Sequence, residues 1–147
     1  MIENKNASKP VEKAKSVIFL SQYVKDISFE NYAAQSLQFS MEKLDYAVDL
    51  NIKRKNLKPD IVEVTLILLL EASAKKKKKF VLEITYAGTF SLNSAKDLEE
   101  RKRAIFIDCP TIMFPYLRQI VFTISRDSGY PPVNLEYIDF KDVFNVK

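Results

Sequence analysis

Between Leu44 and Tyr86 the chain changes character at almost every residue, and a period of two over that length admits little besides a sheet. Leu44, Tyr46, Val48, Leu50 and Ile52 alternate with Asp45, Ala47, Asp49, Asn51 and Lys53. After a turn marked by Asn56 and Pro59, Val62, Val64, Leu66, Leu68 and Leu70 take one face against Glu63 and Thr65. Beyond Ile67 both faces are apolar, so that end is covered on both sides. Past a lysine-rich turn, Phe80, Leu82, Ile84 and Tyr86 alternate with Val81, Glu83 and Thr85. The stretch 17–29 shows the same period more loosely: Val17, Phe19, Tyr23, Ile27 and Phe29 against Gln22, Asp26 and Ser28, with Glu30 continuing the polar side. The connections are short enough for neighbours to pair, which predicts a four-stranded antiparallel meander.

The C-terminal third is helical. Ser94 followed by Asp97 resembles a capping box, and Leu98, Arg101, Lys102 and Ile105 share one face of a charged first helix. Pro110 restarts the helix, and Pro115 is expected to kink or restart it again. From Tyr116 to Arg126 the residues Leu117, Ile120, Val121 and Ile124 form a stripe that Phe122 and Met113 widen. That helix needs the sheet on one side and a further surface, such as a second subunit, on another. Asp139 to Val146 reads as a short closing helix. The fold class expected is α+β, with the helices packed on one face of the sheet.

Residues 1–16 are polar and lysine-rich, so they are read as a flexible basic arm preceding a single domain over 17–147. No stretch approaches the roughly 20 apolar residues of a membrane span, and the first ten lack the apolar core of a signal peptide. With one cysteine, no disulfide can form within the chain, and a cytoplasmic location is expected.

The chain has no histidine, which removes the commonest general base and metal ligand. Cys109 reads as a small buried filler, although beside Pro110 it could sit at a helix N-terminus with a lowered pKa. Gly88 and Gly129 are the only glycines, too far apart for a phosphate loop. No enzymatic activity, metal or cofactor is expected.

Charge is distributed unevenly. The net charge is +4, yet the outward positions of the four strands carry Asp26, Glu30, Asp45, Asp49, Glu63 and Glu83, with Lys53 the only base at that parity. Like charges on neighbouring strands cost some tenths of a kcal/mol up to about 1 per pair. A basic partner would relieve that repulsion. The run Lys75 to Lys79 reads as a solvated hairpin tip that blocks edge pairing.

Four segments resemble SecB, the protein-export chaperone family: Tyr23-Val-Lys-Asp-Ile-Ser-Phe-Glu30; Phe80-Val-Leu-Glu-Ile with Gly88-Thr-Phe90; Cys109-Pro-Thr-Ile-Met-Phe-Pro-Tyr116; and Pro132-Val-Asn-Leu-Glu-Tyr-Ile-Asp-Phe140. The resemblance implies a homotetramer built as a dimer of dimers, which holds unfolded preproteins and delivers them to the SecA motor. It places the SecA-contacting positions on Asp26, Glu30, Val81 and Glu83, facing a basic, zinc-bearing tail of SecA. This chain departs from familiar members in being basic overall.

A holder of unfolded chains needs apolar grooves. The aromatic candidates are Phe19, Tyr23, Tyr46, Phe90, Tyr130 and Tyr137, each of which could equally be ordinary core. Two further readings compete: a SecB-like chaperone of a toxin–antitoxin pair, and a basic nucleic-acid-binding protein with salt-dependent affinity.

Overall fold

Four long strands carry the alternation in the computed structural model, which describes residues 17–38, 42–93 and 95–145. They are β1 (Ile18–Asn31), β2 (Asp45–Lys58), β3 (Ile61–Ala74) and β4 (Lys77–Ser91). All pairings are antiparallel, in the order β1-β4-β3-β2. The expected meander therefore holds for β2, β3 and β4, while β1 lies at the far edge beside β4 rather than beside β2. The cause is the β1–β2 connection. It is no tight hairpin but carries a short helix, α1 (Tyr32–Gln35), whose first turn is capped by Asn31 accepting from the Ala34 N–H at 3.2 Å.

β3 and β4 turn at Lys75 and Lys76, whose φ angles of 49° and 63° are both left-handed, as a two-residue hairpin requires. The lysine run is thus a hairpin tip. Lys75 pairs with Glu42 at 3.1 Å and Lys78 with Glu71 at 3.5 Å.

Residues opposite each other across an antiparallel pair share a face. The inner face carries Val64, Leu66, Leu68, Leu70, Phe80, Leu82, Ile84 and Phe90, each at most 1% exposed. Against it packs one continuous helix, Leu98–Asp127. Its first part is α2 (Leu98–Arg103), then a π-helical stretch at Ala104–Asp108, then α3 (Cys109–Asp127). Asp97 caps it by accepting from the Glu100 N–H at 2.8 Å; Ser94 lies outside the described residues.

Neither proline breaks this helix. The widened π turn precedes Pro110, and the Thr111 hydroxyl donates to the Ile107 carbonyl at 2.5 Å. Pro115 lies inside α3, which continues to Asp127. An interior proline costs ~3 kcal/mol, whereas the fully buried Met113, Leu117 and Val121 each contribute roughly 1.5–3 kcal/mol. By length and composition this helix could cross a membrane, but those three residues sit against the sheet, as in a core helix.

Gly129, with φ 93°, ends α3. The extended segment after it is anchored by Ser125, which is fully buried, donates to the Val121 carbonyl at 2.8 Å and accepts from the Val133 N–H at 2.8 Å. α4 (Phe140–Asn145) closes the core with Phe140 set edge-on to Phe114.

Cys109 is fully buried, and burial followed by the nearby Asp108 charge pushes its thiol pKa well above the usual value. The helix-terminus activation considered for it does not occur, because the helix runs straight through it.

Candidate functional site

The outer face of the sheet gathers the acids that alternation assigned to it. Register sets Asp26 opposite Thr85, Ser28 opposite Glu83, and Glu30 opposite Val81, which in turn faces Glu71. Asp49 lies in the same row as Leu69 and Glu83. Asp26, Glu30, Val81 and Glu83 therefore form one patch, with half-buried Glu71 extending it. Glu71 escaped the sequence reading because both faces of β3 look apolar beyond Ile67.

Three bases not assigned to this face from sequence share it, one of them Lys78 beside Glu71. Lys55 belongs to it because β2 runs to Lys58, and Lys25 because register shifts interrupt β1 between Phe19 and Ser21 and between Val24 and Asp26. Those irregularities also exchange two residues between the faces. Tyr23, expected among the inward apolar residues, stands opposite Ala87 on the outer face, and Gln22, expected outside, stands opposite Gly88 on the inner one.

Tyr23 donates its hydroxyl to Glu63 at 2.5 Å, and Lys25 donates to the same carboxylate at 2.9 Å. Burial, then the hydrogen bond and charge of Glu63, push the Tyr23 hydroxyl up to about 12. The Tyr23 and Lys25 hydrogen bonds hold Glu63 below the usual carboxylate value against its own burial. This end of the face is a satisfied network, not an open acid.

Among the described residues, two clefts lie along β2 on the inner side of the sheet. The first, of about 590 Å³, lies between the β1–β2 connection and the segment after α3, and Ala33, Glu42, Leu44, Tyr46, Tyr130 and Pro131 are among its walls. Tyr130 is fixed there. Its ring packs on Phe80 at 4.7 Å, and its hydroxyl donates to Asn31 at 2.6 Å. The second cleft, of about 600 Å³, is walled by Ile52 of β2, by Glu99, Lys102, Arg103 and Phe106 of the long helix, and by Val143 and Phe144 of α4.

Of the six aromatic groove candidates, Tyr46 and Tyr130 share the first cleft. Phe90 is fully buried core with Phe19 edge-on to it at 6.1 Å, Tyr23 is on the opposite face, and Tyr137 is 74% exposed on the segment before α4.

Inner clefts along a free strand edge and a charged outer face define an α+β binding module. The chain belongs to the SecB family: the family model described as preprotein translocase subunit SecB matches residues 11–147. It is 34% identical to the protein-export protein SecB of Rhodospirillum centenum and 36% identical to that of Roseobacter denitrificans. Each match covers 97% of this chain, with 85% and 87% of the relatives' lengths. Among solved structures it resembles the Mycobacterium tuberculosis SecB-like chaperone in complex with a peptide from the HigA1 antitoxin. The TM-score is 0.71 at 15% identity, over 84% of this chain and 91% of that one.

Proposed function

We propose that this chain is a protein-export chaperone that holds unfolded preproteins in the inner clefts and passes them to SecA through the outer acidic face. The observation that carries this reading is the back-to-back placement of the two surfaces on opposite faces of one sheet, the clefts along β2 and the patch on β1 and β4. A client in the clefts along β2 leaves Asp26, Glu30, Val81 and Glu83 uncovered, and a basic partner segment has a complementary patch to approach. Holding by apolar contact requires neither nucleotide nor catalysis, and the cytoplasm is where preproteins await export.

The assembly proposed is a homotetramer. Its support is apolar surface left uncovered by the single chain: Phe19, Leu20, Val24 and Ile27 on edge strand β1 are 40–48% exposed, and Tyr116 on α3 is 56% exposed. Light scattering should give four chains per particle.

The test is refolding of an unfolded preprotein. Stoichiometric amounts of the protein should slow refolding without nucleotide, and added SecA should restore access to the client. A refolding rate unaffected by the protein would rule the proposal out. A second reading, a chaperone of a toxin–antitoxin pair, is favoured by the likeness to the antitoxin-peptide complex. The higher identity to protein-export relatives favours the first.

A further inference from the structure

Both clefts open on one row of β2. Tyr46 walls the first and Ile52 the second, and the residues between them on that face are Val48 and Leu50. At a strand rise of about 3.3 Å the clefts are ~20 Å apart, a distance that an extended polypeptide spans in a few residues. Each is lined by two bases and one acid, and the second gains a further base from its flank. In the first, Glu42 sits among Lys43 and Lys79. In the second, Lys102 and Arg103 outnumber Glu99, and Arg54, two positions from Ile52 on the same face of β2, adds a third cation.

None of these three cations has an acidic partner among the described residues. Arg101, one residue away, is by contrast held by Asp60 at 3.3 Å and by the Pro59 carbonyl at 2.6 Å. Phe106 and Phe144 stack within this cleft, with ring centroids 6.4 Å apart and planes within 19°. An apolar side chain placed against those rings would have its chain neighbours beside unpaired cations.

We propose that the second cleft selects client segments in which a large apolar residue adjoins an acidic one, with the apolar side chain against Phe106 and Phe144 and the carboxylate met by Lys102, Arg103 and Arg54. The inference rests on the client-holding function and specifies which non-native segments are preferred. Half-exposed cations of this kind favour the matched charge chiefly through association rate and salt dependence.

Two labelled, unstructured peptides distinguish the outcomes. They share the same apolar residues and carry either aspartates or lysines at the neighbouring positions. Fluorescence anisotropy at low salt should give the aspartate peptide about tenfold higher affinity for the full chain, a preference that shrinks as salt rises. Lys102→Glu with Arg103→Glu should reverse the preference, and Lys102→Gln with Arg103→Gln should abolish it. Equal affinities for the wild type, or a preference that survives charge reversal, would overturn the inference and leave client holding intact. Failure of both peptides to bind would overturn the client-holding reading as well. Displacement of the aspartate peptide by a single-stranded oligonucleotide at physiological salt would assign the cations to nucleic acid instead.

Discussion

The Tyr130 hydroxyl and the Asn31 side chain meet at 2.6 Å, joining the end of β1 to the segment that follows α3. Asn31 makes two further ties: its Oδ1 caps α1 at the Ala34 N–H and its Nδ2 donates to the Ser128 carbonyl at 3.0 Å. One side chain thus orders both walls of the first cleft. Asn31→Ala should lose about 1–2 kcal/mol of stability and weaken client holding, whereas Tyr130→Phe keeps the ring on Phe80 and should do less of both. Chemical denaturation and a refolding assay on the same preparations measure the two effects.

Tyr23→Phe should change how stability depends on pH. Glu63 titrates below its usual value in the folded chain, so its contribution is present above that value and is lost as the pH falls through the folded pKa. Tyr23 is raised from 10.0 to about 12, so its contribution is whole below pH 10 and is lost as the pH rises through about 12. Removing the hydroxyl should cost about 1 kcal/mol at neutral pH. The gap to wild type should narrow in acid, as Glu63 protonates, and again in strong alkali. Urea unfolding at a series of pH values reads this directly.

Gly88→Ala should destabilise by about 1–3 kcal/mol. A Cβ at Gly88 would stand 2.8 Å from Cε2 and 3.1 Å from Cζ of Phe90, a ring that is itself fully buried. The ring has no open space to move into. A fall of several degrees in Tm with unchanged oligomeric mass is the expected result.

At the hairpin tip, replacing Lys75-Lys76 by Asn-Gly should stabilise the chain by about 1 kcal/mol, because both residues adopt left-handed backbone that suits those types better. The Lys75–Glu42 pair is lost, but Lys75 is 82% exposed and such pairs contribute little. Thermal unfolding checks the sign.

Glu83→Lys combined with Asp26→Lys should weaken binding to the SecA tail by tenfold or more and spare client holding and assembly. Glu83 faces Ser28 and Leu69, and Asp26 faces Thr85, so neither reversal breaks an ion pair across the sheet. Calorimetric titration against that tail measures the loss. Unchanged affinity would remove these residues from the SecA surface, and loss of both activities would make them structural.

The strands were legible because their alternation records one buried and one open face, and the same alternation put Asp26, Glu30, Asp45, Asp49, Glu63 and Glu83 together on the outer side. The irregularities of β1 were not. A residue inserted into a ladder flips every side chain beyond it, and nothing in Tyr23-Val-Lys-Asp marks where that happens. Strand order was hidden for a different reason, since a period of two gives the face of a strand and not its neighbour. The second cleft escaped notice because Ile52, Phe106 and Phe144 come from elements far apart in sequence, and Phe106 stands in a π-helical stretch where the ordinary helical period no longer says which residues share a side.

The crossing of β1 to the far edge also bears on how the chain is made. Ile18 pairs with Ser91 and Asn31 with Phe80, so β1, made before the other three strands of this sheet, must wait for β4 before it pairs within the sheet. β2, β3 and β4 can zip successively as hairpins in the meantime, the low-cost route for local contacts. Until β4 is complete, Phe19, Val24 and Ile27 lie on an unpaired strand open to self-association. A nascent copy of this chain therefore passes through the kind of exposed, extended state that its clefts are proposed to hold.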